Sequence, residues 1–152
     1  MKKVFLTAAA LLLAALSFQP KLEAQSFGNQ DAVGTYIFYV TIAGAPPCQC
    51  IVLARLNQDG SLTTPGNDQF TGLGLGEWKK SGFNQVTFTF LQNSFNSDGS
   101  AGGLYIIKSV MTLTPAGDGG NGTSTFQLVD NSGKALASGT ATFRAVKLKL
   151  DN

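Results

Sequence analysis

From residue 35 to residue 146 the chain interrupts its β-patterned runs about every ten residues with clusters of Asn, Asp, Gly, Ser or Pro. No stretch carries the 3.6-residue apolar period of an amphipathic helix. Short strands joined by tight links leave few architectures open, and all of them are all-β. The clearest alternation is at 85–92, where Val86, Phe88 and Phe90 face one way and Thr87 and Thr89 the other. One face of that strand meets a core and the other meets water.

The same reading predicts a strand over 35–42, with Tyr36, Phe38, Val40 and Ile42 on one face, and a second over 50–57. Between them Pro46-Pro47 breaks the run, because neither proline can donate to a ladder. The Asp59-Gly60 and Asp98-Gly99 pairs mark tight reversals. A third strand is expected from Leu62, pausing at 65–68 and resuming over 69–75, with a short segment at 77–79 after it. A long strand over 104–114 places Tyr105, Ile107, Met111 and Leu113 on one face. A glycine-rich loop over 115–122, a strand over 123–129 and a last strand over 136–146 complete the set. The expected fold is a single-domain antiparallel up-and-down β-barrel of about eight strands, with a two-sheet β-sandwich as the alternative. Closure favours the barrel, since an open sheet of this length would expose Val-, Ile- and Phe-rich edges with few charges to guard them.

Residues 1–24 read as a secretory signal peptide: Lys2 and Lys3, an apolar stretch from Val4 to Leu16, then a more polar segment ending at Ala24. The apolar stretch is shorter than the ~20 residues a spanning helix needs, so no integral membrane segment is expected in the mature chain. Residues 25–152 form the barrel domain, exported to the periplasm or the extracellular space. Removing the leader takes away Lys2, Lys3, Lys21 and Glu23, so eleven basic and nine acidic residues become eight of each. A neutral domain without a basic stripe releases few counterions from phosphates, which argues against nucleic acid as a partner.

The chain has no histidine, so a Ser-His-Asp triad is excluded. Asp59, Asp98 and Asp130 fall at hairpins and Asp118 in a loop, where carboxylates accept hydrogen bonds from their own backbone. Glu77 and Asp68 are the carboxylates turn chemistry explains least. Arg55, Lys108 and Arg144 fall inside strands, where a charge faces solvent or requires a partner. Gly72, Gly74 and Gly76 lack the spacing, the following helix and the lysine of a phosphate loop. They permit a bend or the close approach of another chain, and if their face points inward they leave volume in the lumen. Cys48 and Cys50 form a structural or a redox-active bridge, which requires a local turn that Pro46-Pro47 could supply. Two thiolates without histidine or a second cysteine pair do not make a metal site, and no cofactor is expected.

Gly34-Thr35-Tyr36 on the first strand and Arg144 on the last resemble the structural signature of the calycin and lipocalin superfamily. In that family an aromatic residue of a Gly-x-Trp motif packs against a basic residue of the final strand, and Tyr36 stands here in the tryptophan position. The resemblance implies that Arg144 covers Tyr36 and helps to close the barrel. The glycine-rich, strand-only pattern is also similar to the allene oxide cyclase and dirigent barrels, which bind apolar small molecules and in some cases guide their cyclisation.

The functional expectation is a small apolar or amphipathic ligand held in the lumen without catalysis, contacted by Tyr36, Phe38, Gly74, Trp78 and Tyr105. Two rivals stand beside it: an isomerase or cyclase assisted by Glu77 or a tyrosine, and a structural or surface-interaction protein whose lumen is filled. Lumen volume separates the last from the other two.

Overall fold

The computed structural model describes residues 32–46, 50–66 and 71–149. The expected leader, Cys48 and Asp68 lie outside the described residues. Eight strands run in chain order: β1 (Gly34–Ile42), β2 (Cys50–Leu56), β3 (Ser61–Thr64), β4 (Thr71–Lys80), β5 (Gln85–Phe95), β6 (Ala101–Leu113), β7 (Gly119–Val129) and β8 (Ala135–Lys147). Each pairs antiparallel with its neighbours and β8 returns to β1, so the sheet is a closed up-and-down barrel. That closure resolves the choice between barrel and sandwich.

The strict alternation of side chains along each strand separates lumen from surface. Tyr36, Leu56, Leu62, Val86 and Met111 point inward and are fully buried. Phe88 and Phe90 are buried as the alternation of β5 requires, and Thr89 between them is exposed. On β1 both faces carry large groups: Tyr36 and Phe38 fill the interior, while Tyr39 is exposed.

The turns follow from side-chain chemistry. Asp59 Oδ1 accepts from the backbone N–H of Ser61 at 2.9 Å and from its hydroxyl at 2.7 Å. Asp98 does the same with Ser100 and Asp130 with Ser132. Gly60, Gly99 and Gly133 sit at φ of +86°, +81° and +83°, the left-handed backbone that these reversals need. The hydrogen bonds, led by the serine hydroxyls, hold all three carboxyls below the usual aspartate range.

Several boundaries differ from the sequence reading. β5 runs on to Phe95, three residues beyond the expected 92, and β6 begins at Ala101, three before the expected 104. Segments 69–75 and 77–79 belong largely to one strand, β4, and the pause before it separates β3 from β4. The glycine-rich stretch is also partly strand, because β7 begins at Gly119. At Gly120 and Gly122 a Cβ would run into Met111 and Phe143, so glycine there lets neighbouring side chains lie over the ladder.

Candidate functional site

Four connections, after β1, β3, β5 and β7, lie at one end of the barrel, and those after β2, β4 and β6 at the other. At the second end large side chains plug the lumen. Tyr36, Leu56, Leu62, Trp78, Val86, Met111 and Leu113 pack together there, with Ala32 against them. The polar tips of the two large aromatics are satisfied: the Tyr36 hydroxyl donates to the carbonyl of Ala32 at 3.0 Å, and Trp78 Nε1 donates to that of Asn57 at 2.8 Å.

Above this plug three rings make a floor. Phe38 meets Phe143 edge-on at 5.2 Å between centroids and Phe88 edge-on at 5.8 Å, and Phe88 and Phe143 lie 6.0 Å apart. Over the floor, in the half that carries the four connections, is a cavity of about 330 Å³. Its wall is formed by inward side chains such as Val40, Val52, Phe90, Tyr105, Ile107 and Phe126. Val40, Ile42, Val52, Tyr105, Ile107 and Phe126 point into the lumen yet are only half-buried, so solvent reaches the cavity.

The hollow has a local cause. Ser109, Ser124 and Ala141 are directly opposed across β6, β7 and β8, a row of three small residues on the inner face. The adjacent inner rows are large-against-glycine: Ile107, Phe126 and Gly139 on one side, Met111, Gly122 and Phe143 on the other. There the rings occupy the missing side-chain volume, since a Cβ on Gly139 would strike Phe126 and one on Gly122 would strike Phe143. The Ser-Ser-Ala row borders the cavity instead.

Polar groups in the wall are few and uncharged. The Ser109 and Ser124 hydroxyls lie 2.7 Å apart; one donates to the other, and the second keeps its proton for a further acceptor. Gln92 Nε2 donates to the Gly72 carbonyl at 3.0 Å, which orients the side-chain amide at the wall. Among the described residues no three His, Cys, Asp or Glu side chains gather where a cation could sit.

Of the residues expected to meet a ligand, Phe38 and Tyr105 line the cavity. Tyr36 and Trp78 belong to the plug below the floor. Gly74 is buried elsewhere, and its missing Cβ is replaced by Thr64 Oγ1 with Phe90 beside it. The β4 glycines therefore admit close packing and leave no empty volume. Glu77 points outward and is exposed, so it cannot assist a reaction in the lumen. Among the wall residues that the sequence reading missed are Phe126, Phe143, Gln92 and the Ser109, Ser124 and Ala141 row. Strand parity carried the signal: Ser109 shares the face of Tyr105, Ile107 and Met111.

Arg144 does not cover Tyr36. It is outward-facing, directly opposite Tyr39 across the β1–β8 seam, with its guanidinium 4.6 Å from the Tyr39 ring centroid. Tyr36 faces inward and is paired with Lys147, whose Nζ lies 5.9 Å from the Tyr36 ring centroid. The Lys147 stem passes where a Cβ on Gly34 would be. The contact the resemblance assigns to Arg144 thus falls to Lys147, because positions 36 and 144 have opposite parity. Cys50 is disulfide-bonded, and Cys48 is the only other cysteine of the chain.

Compared with protein-family models, with curated proteins and with solved structures, the chain finds no match.

Proposed function

We propose that this chain is an exported carrier or receptor that holds one small, largely apolar molecule in the open half of its barrel, without catalysis. The observation that carries the reading is the cavity of about 330 Å³ above the Phe38, Phe88 and Phe143 floor. That volume is at the lower end of the range of small-molecule pockets, and an eight-stranded barrel is wide enough for a single such ligand. The wall is hydrocarbon except for the serine pair, Gln92, Thr71 and Tyr105. An ionised group buried against it would have no counter-charge, so the ligand body is neutral and any charged head stays at the mouth. The serine pair and the Gln92 amide fit one hydrogen-bonding group on the buried part.

The outward face supports a water-bathed barrel. β7 and β8 present Asn121, Thr123, Thr125 and Gln127 beside Ser138, Thr140, Thr142 and Arg144, whereas a membrane barrel requires a continuous apolar girdle. Among the described residues no helix is long and apolar enough to cross a membrane. The short apolar leader supports export.

The test is titration of the folded protein with an apolar fluorescent probe, read together with thermal unfolding. The expected result is one probe per chain and a cooperative melt that the probe shifts upward, by about 2.7 kcal/mol of stability at a hundred times Kd. A cooperatively folded protein that binds no apolar probe overturns the reading.

A further inference from the structure

Outside the lumen, the surface over β4, β5 and β6 differs from the rest of the barrel. Leu75, Leu91 and Ile106 are directly opposed in one cross-strand row, with Leu73 and Leu104 next to it toward the open end. Leu73 and Leu75 are 59 % and 58 % exposed and Leu91 is 45 % exposed. Toward the plugged end the next outward row is Glu77, Thr89 and Lys108. It places an acid on β4 and a base on β6, two strand spacings apart, or about 9.6 Å.

This arrangement is self-complementary. A two-fold axis in the contact plane, running along β5, exchanges β4 with β6 and leaves height along the strands unchanged. It sets Leu91 against Leu91, Leu75 against Ile106, Leu73 against Leu104 and Glu77 against Lys108, each cross-pair occurring twice. At matched registers no like charges are opposed: Lys79, exposed one row beyond Glu77, is set against Val110. The apolar surface around β1 lacks this property: its rows are Leu53, Ile37, Val146 and Ile51, Tyr39, Arg144, with Arg55 nearby, so the same operation offers no acid to any base.

We propose that the β4–β5–β6 face is a self-association surface on which two copies of this chain pair about a two-fold axis along β5. Sheets stacked in this way lie about 10 Å apart with strands aligned within about 30°. The convex wall of a barrel confines contact to these three strands, so the pair belongs to the reversible class that buries less than about 1,200 Å². Because the axis preserves strand direction, both cavities open to the same side and neither is covered.

Sedimentation equilibrium of the mature protein from about 1 μM to about 1 mM, the range of weak interfaces, reads the association. The wild type should pass reversibly from monomer to dimer. Glu77→Lys and Lys108→Glu each set like charges opposite one another twice, and each should weaken self-association about a hundredfold or more. Mixing the two variants sets each lysine of one against a glutamate of the other and should restore a one-to-one heterodimer. Both positions are exposed, and coincident melts of the three proteins confirm that folding is unchanged. A wild type that stays monomeric throughout, charge reversals that leave its dimer intact, or a mixture that remains monomeric each overturns the proposal.

Discussion

Below the floor of the lumen, the inward positions of β1, β2, β3, β4, β5 and β6 carry Tyr36, Leu56, Leu62, Trp78, Val86 and Met111, large side chains that are all buried in one cluster. Above it, the same alternation brings Ser109, Ser124 and Ala141 face to face. Both halves obey one pattern of inward and outward residues; what differs is side-chain volume at matched registers. The hollow is also not where glycine is densest. Gly74, Gly76, Gly122 and Gly139 are each overlaid by a neighbour, while two serines and an alanine border the cavity. A glycine invites close approach, whereas a row of small residues keeps its neighbours at a Cβ's distance and leaves the middle empty.

The largest expected contrast is in truncation. Leu62→Ala in the plug removes a fully buried side chain whose neighbours cannot collapse, and should cost ~2–5 kcal/mol in a denaturant melt. Ile107→Ala, on the half-buried cavity wall, should cost under about 2 kcal/mol. Equal losses would mean that the two halves are packed alike.

Enlargement sharpens the comparison on a single strand. Ala145 and Ala141 share the inner face of β8, one against the plug and one against the cavity. Ala145→Leu should destabilise by about 1–3 kcal/mol through overpacking. Ala141→Leu should cost less than about 1 kcal/mol, since the added atoms enter existing space, and should abolish binding of the apolar probe. Retained probe binding in a folded Ala141→Leu protein would show that the lumen is not the site.

A smaller effect is expected at the seam where β8 meets β1, which also has an inner and an outer side. A double-mutant cycle on Tyr39→Leu and Arg144→Met should give a coupling of ~0.5–1 kcal/mol, the size of an exposed cation–π contact. Tyr36→Leu and Arg144→Met, on opposite faces, should add to within about 0.3–0.5 kcal/mol. The reverse outcome would place Tyr36 outside the lumen.

The barrel itself was legible because turn chemistry and two-residue alternation are local properties. Asp59-Gly60 and Asp98-Gly99 announce their own reversals, and Val86, Phe88 and Phe90 declare a face without reference to any other strand. What could not be read was register. Whether Arg144 meets Tyr36 or Tyr39 depends on how β8 aligns with β1, and a shift of one residue exchanges the faces. The Ser109, Ser124 and Ala141 row likewise exists only once three strands are aligned. The inward parity of Ser109 was visible, but not the small residues opposite it. The break before β4 was missed for a related reason, since a loop inside a β-patterned run and a pause within one strand look alike.

The smallest effect concerns the turns, where the two ends of the barrel are alike and should respond together. Asp59 at the plugged end and Asp98 and Asp130 at the open end have carboxyls held below the usual aspartate range, first of all by the hydroxyls of Ser61, Ser100 and Ser132. A carboxyl whose folded pKa lies below its unfolded value adds stability above the unfolded value and loses it as pH falls through the folded one. Stability should therefore be level above about pH 4 to 5 and decline as the solution is acidified further. Replacing the three aspartates by asparagine keeps an acceptor in each turn and removes the titration. The triple variant should show a shallower acid decline than the wild type in melts recorded across that range, with both ends of the barrel contributing. An unchanged slope would mean that the three carboxyls titrate alike in the folded and unfolded chains.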